Sequence, residues 1–375
     1  MQFIDLKQQY KKIEASVQKR INAVLSHGNY ILGPEINELE EKLAHFVGAK
    51  YCLTCASGTD ALLLALMAKN IGPGDAVLTT PFTFVATAEA IALVGAAPLF
   101  VDIDPVTYNI DPKNLRQVIA AYKAEKAIGN LPKGLKLRGI IPVDIFGLPA
   151  DYDAINEIAM DNGLFVLEDA AQSFGGMYKG KKAGSLASIA ATSFFPAKPL
   201  GCYGDGGALF TNDEELLNIF KSLRVHGQGT DKYENVRIGI NGRMDTVQAA
   251  ILLAKLEVFD GELDLRQSVS QRYSRLLGGG IAAPEIPEGY LSSWAQYSIQ
   301  SDNRQYVMNR LKDKGIPTAI YYPKPLHLQT AFSYLGYAKG DFPIAEKVSE
   351  RIFSVPMHPY LMEEEQARIA ECITA

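Results

Sequence analysis

The chain is poor in cysteine. Four cysteines in 375 residues, Cys52, Cys55, Cys202 and Cys372, do not make the disulfide framework that staples small secreted domains. Cys52-Leu53-Thr54-Cys55 has the spacing of a redox or zinc pair. Yet residues 51–55 read as a strand, where an offset of three turns the two thiols to opposite faces, and no second pair completes a zinc site. Histidine is scarce as well, and none of His27, His45, His226, His327 and His358 stands in a His-Glu-x-x-His pattern. An excess of positive charge is missing. The formal net charge is −5, which gives no electrostatic reason to expect nucleic acid as a partner. The longest apolar run, near Ile91–Val101, is too short to span a bilayer and ends in Asp102. Met1–Gln8 lacks the basic start and apolar stretch of a signal peptide. These absences make a cytoplasmic protein with no membrane partner the expectation. Internal repeats and low-complexity stretches are also absent.

What is present is an ordinary globular composition, 47% hydrophobic and 21% charged. At roughly 150 residues per domain, the length suits two or three domains. Residues 1–33 read as an arm carrying one helix. Ile36, Leu39, Leu43 and Val47 then recur at helical spacing behind Pro34, a residue suited to a first turn. Strands are expected at residues 51–55, 76–80, 98–101, 139–143, 164–168, 189–195 and 208–211. Helices are expected at residues 59–69, 85–94, 114–124, 151–162 and 213–223, with a longer one at 245–265. Strands that are apolar throughout and separated by helices indicate an α/β fold, a mostly parallel sheet covered on both faces. Ligands bind such sheets at the carboxyl ends of the strands. Beyond the long helix, a strand at 297–300, a helix near 304–314 and a loop rich in proline and tyrosine at 321–328 indicate a smaller α+β C-terminal domain. The expected division is 1–33, 34–260 and 261–375.

Lys198 stands in Ser193-Phe194-Phe195-Pro196-Ala197-Lys198-Pro199-Leu200-Gly201, ahead of the turn Gly204-Asp205-Gly206-Gly207. A lone lysine is ordinarily a solvated surface charge. Here aromatic rings and a glycine turn flank it, and apolar surroundings lower a lysine's pKa. Upstream, Leu164–Leu167 runs into Glu168-Asp169-Ala170-Ala171-Gln172-Ser173. Asp169 can be read as a cap for the next segment. As a buried anion it demands a cationic partner. A buried amine and a buried acid at two strand ends are what a pyridoxal phosphate site needs. The amine bonds the cofactor aldehyde, and the acid keeps the ring nitrogen protonated. Gln172 can reach the phenolic oxygen beside that aldehyde. Ser57-Gly58-Thr59-Asp60, between a strand and a helix, is either an ordinary N-cap or a phosphate seat with free N–H groups. It is neither a P-loop nor a dinucleotide fingerprint. Ser193 is a further phosphate ligand candidate. Thr80-Pro81-Phe82-Thr83-Phe84 offers a ring to stack on the cofactor, or two core residues.

Taken in order, these segments resemble the sugar aminotransferases of the DegT/DnrJ/StrS type, fold-type I pyridoxal phosphate enzymes that act on nucleotide-linked keto sugars. The resemblance runs from Phe3-Ile4-Asp5-Leu6 to Met357-His358-Pro359-Tyr360. Its most specific segments are 28–34, 57–62, 168–173, 193–198 and 239–245. It implies that Lys198 bonds the cofactor and shuttles protons, with Asp169 on the pyridine nitrogen and Gln172 on the phenolic oxygen. It implies Gly58, Thr59 and Ser193 on the phosphate and Phe82 against the ring. Asn241 matches a position that reaches the phosphate from the other subunit, which implies a homodimer. Lysine rather than histidine at 198 favours transamination over dehydration. Residues 194–207 are most similar to the 3-aminotransferases of surface-polysaccharide (O-antigen, lipopolysaccharide) pathways. That implies transfer from L-glutamate to C3 of UDP-2-acetamido-3-keto-glucuronate. Arg243 matches a residue near the sugar and suits a uronate carboxylate by bidentate pairing. Tyr30, Tyr321, Tyr322 and His327 join it as sugar-pocket candidates. Two positions depart from the subgroup. Tyr321 stands where histidine is usual before Tyr322-Pro323, and Gly242 stands where serine is usual. The rival readings are a dTDP- or UDP-linked 3- or 4-keto-6-deoxy sugar as substrate, a dehydratase or carbocyclic aminotransferase, and a regulatory protein that binds cofactor or sugar nucleotide without turnover.

Overall fold

The computed structural model describes residues 1–126, 128–231, 233–277 and 281–374. Its strands are β1 (Tyr51–Cys55), β2 (Asp75–Thr79), β3 (Ala97–Phe100), β4 (Lys136–Ile140), β5 (Phe165–Asp169), β6 (Met177–Tyr178), β7 (Lys181–Lys182), β8 (Ile189–Ser193), β9 (Gly207–Thr211), β10 (Tyr290–Leu291), β11 (Tyr297–Gln300) and β12 (Ile352–Val355). Its helices are α1 (Leu6–His27), α2 (Pro34–Val47), α3 (Gly58–Ala68), α4 (Ala86–Leu93), α5 (Pro112–Lys123), α6 (Tyr152–Asn162), α7 (Glu214–Leu223), α8 (Thr246–Leu276), α9 (Arg304–Asp313), α10 (Pro343–Arg351) and α11 (Glu363–Thr374).

Side-chain alternation along the strands sets the layers. Cys52, Ala190, Ala208 and Phe210 pack with α2 and α8. Their neighbours Leu53, Cys55, Ile189, Ala191 and Leu209 pack with α3 and α7. Cys52 and Cys55 therefore fall in different layers, and both are free thiols. Further along the sheet, Ala76 and Leu78 pack with α5 and α6, while Val77 faces the α3–α4 layer.

The central sheet has the order β1-β9-β8-β5-β4-β2-β3. The run from β8 to β3 is parallel, and β9 lies antiparallel to both β8 and β1. That reversal positions the site. Ser193 ends β8 opposite Gly207, where β9 begins, and Cys55 ends β1 opposite the same glycine. The loop 194–206 that carries Lys198 therefore leaves and re-enters the sheet at its ligand-binding edge. The turn after β1 starts beside it. β8 stops at Ser193, short of the expected Phe195. Pro196 has no N–H to continue a ladder, and the chain turns with Lys198 N–H donating to the Phe195 carbonyl at 2.9 Å. Asp169 is the last residue of β5, and a turn rather than a helix follows it. Asp169 therefore caps a turn and not a helix, its carboxylate accepting from the Ala171 N–H.

Helix α8 is 31 residues long and extends beyond the expected end at Leu265. The charged stretch 260–266 looks solvent-facing in the sequence, yet Glu262 and Arg266 are buried. Glu262 accepts from the Gln9 amide at 2.9 and 3.0 Å, and Arg266 donates to the Trp294 carbonyl at 2.8 Å. Such partners are what make burial of charge tolerable. The helix passes through residue 260 without a break, and its last turns place Val269 and Tyr273 against β11 and β12. No helix among the described residues is long and apolar enough to cross a membrane.

Candidate active site

Asp169 is buried at the end of β5. One carboxylate oxygen accepts from the Thr87 hydroxyl at 2.8 Å, the other from the Ala171 N–H at 3.2 Å. Burial pushes its carboxyl above the usual range, and the two donors and the Lys198 charge pull the other way. Thr87, on the first turn of α4, is not evident as a site residue in the sequence. Its one signal is Thr83, a hydroxyl one turn earlier and 3.5 Å away.

Lys198 is half-buried. Burial brings the ammonium down to about 8, against the Asp169 charge, which raises it. The two groups sense each other's charge without forming an ion pair among the described residues.

The third part is the start of α3. Ser57 caps the helix, its hydroxyl accepting from the Asp60 N–H at 3.0 Å. The first helical bond runs from Ala61 N–H to the Ser57 carbonyl at 3.0 Å. The N–H groups of Gly58 and Thr59 precede that bond and have no place in the helical ladder. A Cβ on Gly58 would lie 2.7 Å from the Ser193 Cβ and 3.2 Å from its hydroxyl oxygen. A Cβ on Gly207 would lie 2.3 Å from the Ser57 carbonyl oxygen. Two glycines thus let the helix start rest directly against Ser193. Free N–H groups at the positive end of a helix, beside a hydroxyl, suit a phosphate dianion. A phosphate seat, a buried acid and a low-pKa amine held apart fit pyridoxal phosphate.

Gln172 accepts from the Phe146 N–H at 2.8 Å and donates to the Tyr322 hydroxyl at 3.0 Å. Burial holds that phenol well above its ordinary value. Tyr321 lies between the rings of Phe3 and Tyr322, at centroid distances of 6.4 and 6.0 Å. Two expectations need correction. Phe82 has no exposed surface, because Phe146 and Tyr322 close over it at 6.0 Å each. The exposed ring is that of Phe84, which is 57% accessible and 6.5 Å from Tyr322. His327 is a core residue, with Nε2 3.0 Å from the Glu346 carboxylate and its ring on Phe342. It presents no face to a sugar.

Arg243 donates through Nε to the Asn241 side chain at 2.9 Å. The Tyr30 carbonyl accepts from Thr246 N–H at 2.9 Å, and Ile31 bridges to Asp245. Tyr30 and the 241–245 segment are therefore one unit. It joins the phosphate turn where Ala56 N–H donates to the Gly242 carbonyl at 2.9 Å. Both Tyr30 and Asn241 are exposed.

A model of the DegT/DnrJ/EryC1/StrS aminotransferase family matches residues 11–374. The UDP-2-acetamido-2-deoxy-3-oxo-D-glucuronate aminotransferase of Pseudomonas aeruginosa is 50% identical over 362 residues, 96% of each chain. A DegT DnrJ EryC1 StrS aminotransferase from Brucella abortus superposes with a TM-score of 0.96 at 50% identity, covering 100% of this chain and 98% of that one. NtdA from Bacillus subtilis, solved with bound cofactor PMP, gives 0.87 at 29% identity, covering 99% of this chain and 82% of that one. By sequence over nearly its whole length and by fold, the chain belongs to the DegT/DnrJ/EryC1/StrS aminotransferase family, with the fold-type I architecture and a site suited to pyridoxal 5'-phosphate.

Proposed function

We propose that the protein transfers an amino group from L-glutamate to C3 of UDP-2-acetamido-3-keto-glucuronate. We place this activity in cytoplasmic synthesis of a surface polysaccharide, carried out by a homodimer with shared sites. The observation that carries the reaction type is the Lys198 amine, lowered by burial and sensing the charge of the buried Asp169 carboxylate, together with the Gly58–Ser193 phosphate seat. The choice of substrate rests on the 50% identity to the Pseudomonas aeruginosa enzyme.

Bound pyridoxal phosphate supplies an electron sink beside the carbon that loses its proton. The protein's residues do the rest. An ammonium brought down to about 8 gives up its proton far more readily than an exposed lysine does, so Lys198 Nζ could bond the cofactor. Lys198 Nζ would be the group that moves protons between the reacting carbons. Asp169, fixed by Thr87 and Ala171, would hold the proton on the ring nitrogen. Gly58, Thr59 and Ser193 would hold the phosphate, and Phe84 rather than Phe82 offers a free ring face. Gln172 and Tyr322 form the polar end of the site. A phenol at Tyr321 replaces an imidazole, which leaves Arg243 as the cation for a sugar carboxylate. Exposed Tyr30, Ile31, Leu32, Phe195, Val236 and Ile238 support a dimer in which Asn241 reaches the partner's phosphate.

The test is transfer of labelled nitrogen from glutamate, read by mass spectrometry. The acceptors are the 3-keto uronate, its neutral 3-keto-glucosamine counterpart and a dTDP-4-keto-6-deoxy sugar. The uronate is expected to be aminated fastest, and faster turnover of either other sugar would replace it. Borohydride reduction should leave the cofactor on the Lys198 peptide. Labelled Lys198 with no transfer to any acceptor would favour a regulatory binder.

A further inference from the structure

Asp144 is a wholly buried carboxyl that the chemistry above does not use. It lies just beyond β4, at the same edge of the sheet as Asp169. Its Oδ1 accepts from the Ala150 N–H and the Tyr152 hydroxyl, both at 2.9 Å. Its Oδ2 accepts from the Ser173 hydroxyl at 2.7 Å, and its own N–H donates to the Asp169 carbonyl at 3.1 Å. These bonds end on two segments only. One is the entry to α6. The other is the turn 169–173, which carries both Asp169 and Gln172. The same turn is gripped again nearby, where the Ser293 hydroxyl donates to the Gln172 carbonyl at 2.8 Å.

We propose that Asp144 is a positioning residue of the cofactor site: through Ser173 and the Asp169 carbonyl it holds the 169–173 turn, and with it the Asp169 carboxylate and the Gln172 amide, at the spacing from Lys198 that the cofactor needs. The surrounding charges agree with this role. Asp144, Glu168 and Asp169 are three carboxyls in one buried region. Glu168 is held by the Gly184 and Leu186 N–H groups at 2.6 and 2.9 Å. Burial pushes Asp144 up to about 7, the Asp169 charge adds to this, and its three donors oppose it. Burial raises Glu168 and the Tyr152 phenol as well. The cation in this set, Lys198, faces Asp169. Neighbouring buried carboxyls do not all stay ionised at low cost. Burial thus favours a proton among these carboxyls, while the Lys198 charge favours the ionised form at Asp169.

Asp144→Asn keeps the volume and the Oδ1 acceptor but turns an NH2 toward Ser173. Ser173→Ala removes the same bond from the other side. Each purified apoprotein is titrated with pyridoxal 5'-phosphate by absorbance, alongside thermal unfolding and steady-state kinetics. For Asp144→Asn we expect a folded protein with cofactor Kd raised about tenfold or more, where tenfold corresponds to about 1.4 kcal/mol. kcat should fall with the glutamate KM unchanged. Ser173→Ala should shift Kd in the same direction, by less. A lowered Tm with wild-type Kd and kcat in the folded protein would mean a merely structural role and would overturn the proposal. Should Asp144→Asn fail to fold, Ser173→Ala decides alone: an unchanged Kd overturns the proposal and a raised one supports it. The inference rests on the cofactor reading of the site, which the wild-type titration tests separately. Absence of uptake there overturns both, whereas wild-type uptake with unaffected variants overturns this one alone.

Discussion

Lys198 and Asp169 carry opposite charges in one poorly solvated region, and what separates them matters as much as what attracts them. A direct ion pair would fix the amine in its charged form. Held apart, the amine is brought down by burial to about 8, while Asp169 raises it only in part. The ordinary value for a lysine is about 10.4. Because the folded-state pKa is depressed, the neutral amine gains as pH rises through 8, and only that form attacks an aldehyde. Uptake of pyridoxal phosphate by the apoenzyme should therefore accelerate with pH through a midpoint at about 8 and level off beyond it. Asp169→Asn removes the charge that raises the amine, so its midpoint should move to lower pH. Stopped-flow absorbance at a series of pH values measures both. A rate that keeps rising through about pH 9 to 10 without levelling off would show that the amine is not shifted.

At the scale of elements, the phosphate seat is a joint between α3 and β8. β8 is paired on both sides, with β5 and β9, so Ser193 has little room to retreat. A methyl at Gly58, 2.7 Å from the Ser193 Cβ, would push the helix start away and carry its free N–H groups with it. Gly58→Ala should fold but lose about tenfold in cofactor affinity, roughly 1.4 kcal/mol. Equilibrium dialysis against pyridoxal phosphate checks this, and an unchanged affinity would remove the seat from that position. The joint is legible in the sequence because both halves follow strands with clear apolar patterns and the glycine interrupts one of them. Lys198 and Asp169 are legible for the same reason: polar groups closing apolar runs. Thr87 and Asp144 are not. Each is defined by a bond to a residue remote in sequence, 82 and 29 positions away. His327 looks like a loop histidine until Glu346, 19 positions on, is folded onto it. Phe82 and Phe84 sit in a bend between strand and helix, where no period decides which ring turns inward. The far half of α8 is hidden by the charges of Glu262 and Arg266, whose partners come from α1 and from Trp294.

At the scale of the whole molecule, exposed apolar side chains gather on the segments that carry Tyr30, Asn241 and Arg243. Ile238 is 87% exposed and Val236 52% exposed, on the segment after α7 that leads to Asn241 and Arg243. Tyr30, Ile31 and Leu32, joined to that segment through Asp245 and Thr246, are between 44% and 51% exposed. Scattered apolar side chains are normal on a surface, but a set gathered beside a polar site signals an interface. In a twofold dimer the same patch on each subunit meets itself or its neighbour, and Asn241 is carried along with it. The consequence can be measured. Ile238→Glu places a charge where apolar contact is needed, so sedimentation velocity should show a shift from dimer toward monomer at fixed concentration. If the partner's Asn241 completes the phosphate site as proposed, cofactor affinity should weaken in the same variant, although residue 238 belongs to no cofactor-binding element of its own chain. Raising the protein concentration should restore dimer and affinity together. A variant that becomes monomeric yet binds the cofactor as tightly as wild type would show that each site is complete within one subunit.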